Sequence, residues 1–223
     1  MSFFSDLSKA YDEGFEASEH FLLEAYGSER AADEAEFKVV VCNELGSLYR
    51  ANQRYQDSYS YFTEALKYAE DCYGKDALKY GTILMNRAGC SRMSGDVDKA
   101  IDDFEESLSI VSKHDNCDTI LASTWNNLGL AYMSAERYED AEKAVSKSLD
   151  ILADTDDSYM TGTGFINLAS ICVKLGKNDE ALKHAERAVL LFAADPDSAN
   201  AKYANEMVNT LKAIRETPGA PWK

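Results

Sequence analysis

Residues 123–152 read STWNNLGLAYMSAERYEDAEKAVSKSLDIL, and the spacing of their apolar side chains decides the fold. Trp125, Leu128, Ala131 and Tyr132 stand at i, i+3, i+6 and i+7, the spacing of one helix face. Tyr138, Ala141, Val145, Ser148, Leu149 and Leu152 follow a similar period, and the short polar stretch 134–137 separates the two halves. Gly129 falls inside the first half, where glycine costs roughly 1 kcal/mol relative to alanine. Close approach of a second helix is the packing reason expected there, and Ala141 is its counterpart on the second half. Trp125 is expected in the core, where truncation to alanine costs about 3–5 kcal/mol.

The same pattern recurs along the chain. Equivalents of Gly129 fall at Gly46, Ala88 and Ala169, steps of roughly 40 residues, a period that marks a helical array. Four residues before each anchor stand Cys42, Leu84, Trp125 and Phe165; twelve after stand Ser58, Ala100, Ala141 and Ala181. Still further on come the pairs Ala65-Leu66, Ser107-Leu108, Ser148-Leu149 and Ala188-Val189. These columns agree without gaps.

The segments NELGSLY…RYQDSYSYFTEAL, NRAGCSR…GDVDKAIDDFEESL, NNLGLAY…RYEDAEKAVSKSL and NLASICV…KNDEALKHAERAV resemble the tetratricopeptide repeat family. The resemblance covers about 40–195 and is closest to the long-repeat variety, as in kinesin light chains and bacterial peptide-sensing regulators. It implies an all-α, right-handed solenoid of four helix pairs, with a capping helix at each end and about ten helices in all. The whole chain, 1–223, is expected to be one repeat domain. It comprises an N-terminal cap at 1–28, repeats at 29–74, 75–115, 116–156 and 157–195, a C-terminal cap at 196–217 and a tail at 218–223. Within it, residues 5–26 read as a single helix capped by Ser5 and stopped by Gly27, and residues 29–51 as the long first helix of repeat one. Residues 199–215 read as the last helix, with Lys202, Asn205, Glu206, Asn209 and Lys212 on its outer side. Trp222 in the tail is expected to dock.

Composition limits the functional classes. The chain carries 23 basic and 39 acidic residues, a net charge of −16. Nucleic-acid binding needs a basic footprint, which is missing, so no nucleic-acid partner is expected. No apolar run approaches the ~18 residues of a membrane span, and the opening MSFFSDLSKAYDEG lacks the basic-then-apolar order of a secretory leader. Five cysteines without a C-x-x-C spacing argue against a disulfide framework or a zinc site. A reducing, cytoplasmic setting is therefore expected. Cys42, Cys90 and Cys172 fall on or beside core columns, whereas Cys72 and Cys117 near helix ends are the more reactive thiols on this reading.

Sites of chemistry are sparse. His20, His114 and His184 have no second histidine or cysteine at ligand spacing. A calcium loop begun at Asp154 would need glycine and glutamate where Tyr159 and Phe165 stand, so the acidic run reads as helix-start carboxylates. Gly162 and Gly164 lack the lysine of a phosphate loop. No catalytic residue, metal or cofactor is expected, and the chain reads as a non-enzyme.

The informative columns are polar. Glu44, Asn86, Asn127 and Asn167 stand two residues before each anchor, with Asn43 and Asn126 beside them. Asparagine is a mediocre helix former, so its recurrence asks for a cause. An amide has two donors and two acceptor lone pairs. The resemblance implies that amides here line a concave groove and meet a bound peptide's backbone; the alternative is that they bond neighbouring helices. Four residues after the anchors stand Arg50, Arg92, Met133 and Val173, with Lys174 next, and the arginines suit a carboxylate. Chaperone-binding members of the family clamp a terminal carboxylate, but Asn43, Ser47, Ser123 and Asn127 occupy the clamp positions, so that ligand is not expected. The function expected is binding of a protein or peptide segment in a groove of Asn43, Glu44, Asn86, Asn126, Asn127, Asn167 and Lys174, oriented by Arg50 and Arg92. A peptide-sensing regulator is the alternative, and self-association through a helical edge stays open.

Overall fold

The computed structural model describes residues 2–153 and 155–217. Twelve helices and no strand are present among the described residues, and the chain divides into two compact units, Met1–Asp115 and Asn116–Lys223. Unit 1 holds α1 (Phe3–Glu13), α2 (Phe15–Tyr26), α3 (Glu29–Asp33), α4 (Ala35–Ala51), α5 (Tyr55–Tyr73), α6 (Leu78–Ser94) and α7 (Val97–Val111). Unit 2 holds α8 (Asp118–Ser134), α9 (Tyr138–Leu152), α10 (Ser158–Lys174), α11 (Asn178–Leu191) and α12 (Ala199–Glu216). The helix pairs α4–α5, α6–α7, α8–α9 and α10–α11 pack against each other most extensively.

The small columns explain that packing. A Cβ on Gly129 would lie 2.5 Å from Val145 Cγ2, and one on Gly46 would lie 2.7 Å from the Phe62 ring. Where the small residue is serine it also ties the two helices together. Ser58 Oγ donates to the Gly46 carbonyl, Ser107 Oγ to that of Gly81 and Ser148 Oγ to that of Ala122, each at 2.7 Å. A buried hydroxyl needs such a partner, so these serines are bonded as well as small.

Every pair turns in the same way. Seven residues after the anchors, Gln53, Gly95, Glu136 and Gly176 hold φ of 60°, 90°, 59° and 75°. The next N–H closes back on the carbonyl five residues earlier: Arg54 on Tyr49, Asp96 on Ser91, Arg137 on Tyr132 and Lys177 on Cys172, at 2.8–2.9 Å. This left-handed helix end satisfies carbonyls the helix leaves open. Gln53 and Glu136 adopt it without glycine's freedom, which costs an ordinary residue roughly 1 kcal/mol.

Four sequence expectations are corrected. The stretch 5–26 is two helices, because Gly14 takes φ 112° and starts α2 afresh; α1 is capped by Ser2, whose side chain accepts from the Ser5 N–H. The stretch 29–51 is also two helices, broken at Glu34, which leaves helical geometry with φ −108° and ψ 95°. The cap of unit 1 is therefore an α1–α2 hairpin that closes Leu7, Leu22, Phe37, Val41, Leu45 and Leu48 into one apolar cluster. Trp125 is half-buried rather than core, its ring covered by the Lys147 ammonium at 4.2 Å. Cys117 is buried at 3% exposure and so is not an accessible thiol, whereas Cys72 is only partly buried, with burial raising its thiol pKa. At the other end α12 is capped by Ser198, whose hydroxyl accepts from the Ala201 N–H, and its five expected polar residues are exposed. Asp154 and Trp222 lie outside the described residues.

The half-burial of Trp125 sets an expected value. Trp125→Ala should cost about 1–2 kcal/mol in urea unfolding, short of the 3–5 kcal/mol of a core tryptophan. A cost above about 3 kcal/mol would return the ring to the core.

Candidate functional site

The first helix of each pair carries the polar columns. In unit 1, Asn86 Nδ2 on α6 donates to Asn43 Oδ1 on α4 at 3.0 Å. In unit 2, Asn167 Nδ2 on α10 donates to Asn126 Oδ1 on α8 at 2.9 Å. In both units the donor stands two residues before its anchor and the acceptor three before its own. The two columns are therefore one device, a diagonal amide bridge between successive first helices. The sequence displayed both columns; what it did not display was that they pair across repeats, because that depends on the offset between packed helices.

Each bridge uses one donor of one amide and one acceptor of the other. The side-chain Nδ2 groups of Asn43 and Asn126 and the side-chain Oδ1 atoms of Asn86 and Asn167 make no further hydrogen bond among the described residues. All four side chains are half-buried, so the bridge holds free amide groups in fixed directions. Asn127 lies beside one bridge without a hydrogen-bond partner of its own among the described residues. It lines a cavity of about 110 Å³ with Ser123, Asn126, Ser148, Tyr159, Met160 and Thr163.

The basic residues sit farther along the same helices. Arg50 follows Asn43 by seven residues and Lys174 follows Asn167 by seven, two helical turns or about 10 Å on the same face. Lys174 is exposed. Arg50 lies across α6: its Nη1 donates to the Asn86 backbone carbonyl at 3.1 Å, and a Cβ on Gly89 would come within 3.0 Å of that nitrogen. Gly89, a mid-helix glycine outside the anchor columns, is the sequence signal for this approach. Burial lowers the Arg50 pKa, and burial followed by the nearby Arg50 charge lowers that of Arg92. Glu44 sits instead against the cap, accepting from the Tyr11 hydroxyl at 3.3 Å.

Other polar clusters are internally satisfied. Glu142, Cys172 and Glu180 lie close enough to hold a cation, but the Lys177 ammonium bonds both Glu142 oxygens at 2.7 Å and supplies the positive charge there. His184 stacks on Phe165 at 5.7 Å between centroids, and burial lowers its pKa below 6.5. His20 pairs with Glu24 in the open, and His114 Nε2 meets the Asp76 carbonyl at 2.8 Å.

A tetratricopeptide repeat family model matches residues 40–113 and 120–193, most of the chain and all four helix pairs. The chain belongs to the tetratricopeptide repeat family. Over 126 residues, 56% of this chain, it is 28% identical to the anaphase-promoting complex subunit cut9 of Schizosaccharomyces pombe. That match spans 16% of the cut9 subunit's length. Among solved structures the fold is similar to BtubC (BKLC) from P. vanneervenii, with 17% identity, TM-score 0.69 and 96% and 91% of the two chains covered. It is similar also to a putative kinesin light chain from Podosopora anserina with nearly identical TPR-like repeats, with 16% identity, TM-score 0.65 and 80% and 94% covered. The helix pairs read from the sequence, at steps of roughly 40 residues, are thus the fold of this tetratricopeptide chain. No described helix of the tetratricopeptide array is long and apolar enough to cross a membrane.

Proposed function

We propose that the chain is a non-catalytic interaction module that docks an extended peptide or protein segment on its first helices. The face runs across α4 and α6 in unit 1 and across α8 and α10 in unit 2. The observation that carries this reading is the repeated amide bridge. In each unit it leaves a free N–H pair and a free carbonyl, the complement of a peptide group's own acceptor and donor. None of these free groups is fully buried, so they stay open to a docked segment. Asn127 adds an uncommitted amide beside the second bridge, and Arg50 and Arg92 in unit 1 and Lys174 in unit 2 give each unit's first helices a basic character that suits a segment bearing carboxylates. Glu44 borders the face at the cap. The cut9 relative supports the class, being itself named as a subunit of a multiprotein complex.

The test is to select peptides from a random-sequence displayed library on the intact chain and map the bound peptide by hydrogen exchange. Protection is expected on 43–50 and 86–92, on 123–127 and 163–174, or on both sets. Failure to enrich any peptide, or protection confined to α5, α7, α9 and α11, would overturn the assignment.

A further inference from the structure

The last helix carries two apolar stripes. Ala201, Ala204, Val208 and Leu211 are buried, and α12 packs against α11. Tyr203, Met207, Thr210 and Ile214 stand at i, i+4, i+7 and i+11, the spacing of a second helix face. With Val173 of α10 they line a groove of about 370 Å³ between α10 and α12. Val173, Tyr203 and Ile214 are exposed. The terminal helix of a repeat array needs a polar outer face for solubility, and an apolar stripe open to water marks a surface made to be covered.

Charge narrows the choice of cover. Glu206 is the one charged residue among the described residues lining the groove, so a segment bearing carboxylates is repelled there. A second copy would bring a net charge of −16 with it, which opposes association. The chain's own continuation has the opposite character. At Thr217 the backbone leaves α12 extended, with φ −79° and ψ 116°, the conformation a residue before proline prefers. Pro218, Gly219, Ala220, Pro221, Trp222 and Lys223 follow and lie outside the described residues. Proline then glycine at the centre of 217–220 is the sequence signature of a type II turn, which reverses the chain. Two residues beyond such a turn advance about 7 Å, the rise of four to five helical residues. Trp222 would then come opposite residue 212, beside Leu211 and Ile214. An indole offers roughly 150–250 Å² of surface to bury, and the Met207 thioether suits an aromatic ring. Lys223, one residue further back, would bring a positive charge toward Glu206.

We propose that residues 218–223 turn back along α12 and seat the Trp222 indole in the α10–α12 groove, so that the chain covers its own last apolar face. This contact is independent of any segment docked on the amide bridges.

The test uses the full chain with Trp125→Phe, which leaves Trp222 as its one tryptophan; far-ultraviolet circular dichroism checks that the helices are kept. Acrylamide quenching of Trp222 should be severalfold weaker than in the urea-unfolded chain, with its emission shifted to the blue. Val173→Asp places a charge on the α10 wall at an exposed position, so it spares the fold and should raise quenching to the unfolded level. In the native chain, Trp222→Ala should remove ring-current shifts from the Val173 and Ile214 methyl NMR signals. Quenching at the unfolded level in the folded chain overturns the proposal. Protection that Val173→Asp leaves intact overturns it too, because Trp222 then docks elsewhere. Protection lost on dilution, with a doubled mass in light scattering, overturns it in favour of a second copy, whereas protection independent of concentration supports the chain's own tail.

Discussion

Phe62→Ala should lower the unfolding free energy by about 3–5 kcal/mol, the cost of emptying a fully buried aromatic site. Phe62 has no exposed surface and sits in one cluster with Val39, Cys42, Leu66, Ile83 and Leu84. Those residues come from α4, α5 and α6, so the ring joins one repeat to the next. Its flank lies against Gly46, where a Cβ would meet the ring at 2.7 Å. Gly46→Ala in the native background should therefore cost about 1–3 kcal/mol by overpacking, and much less once Phe62 is alanine. Urea unfolding of the two single variants and the double variant reads this coupling. A loss below about 1.5 kcal/mol for Phe62→Ala, or strict additivity, would remove Phe62 from the junction.

Asp103→Ala should cost about 3 kcal/mol, the loss seen when one partner of a buried ion pair is removed. Asp103 takes two hydrogen bonds from Arg87, at 2.7 and 2.8 Å, and the side chains are only 11% and 17% exposed. Without the carboxylate the Arg87 guanidinium keeps only a long contact with Thr63 and the Tyr59 ring at 5.4 Å. The cost lies in stranding the charge, so Arg87→Met with Asp103→Leu should lose far less than Asp103→Ala alone. Equal losses in the single and double variants would show that the pair contributes through its attraction instead.

Sequence periodicity was enough to read the helix pairs, their roughly 40-residue step and the small columns, because those follow from which side chains must be buried and where backbones must approach. It was not enough at Gly14 and Glu34. A helix break inside an apolar period depends on how the cap folds back on α4, and no local residue pattern encodes that. The left-handed turns were half visible, through Gly95 and Gly176, and hidden at Gln53 and Glu136, where the hydrogen bonds of the turn override propensity. Trp125 was misread because an aromatic at a core column can still lie at the margin under a lysine stem. At the site, the asparagine columns and both arginines were visible as residues. Their relations were not: both the bridges and the approach of Arg50 to α6 need the offset between neighbouring helices.

Asn127→Ala tests the docking account most directly, because Asn127 has no partner to lose in the free protein. The measurement is calorimetric titration of a library-selected peptide into the native chain and the variant, with the melting temperature of each recorded alongside. The account expects affinity to fall about three- to tenfold, the worth of one hydrogen bond, with the melting temperature unchanged. A lowered melting temperature with unchanged affinity for the folded chain would make the amide structural and contradict the assignment of this face.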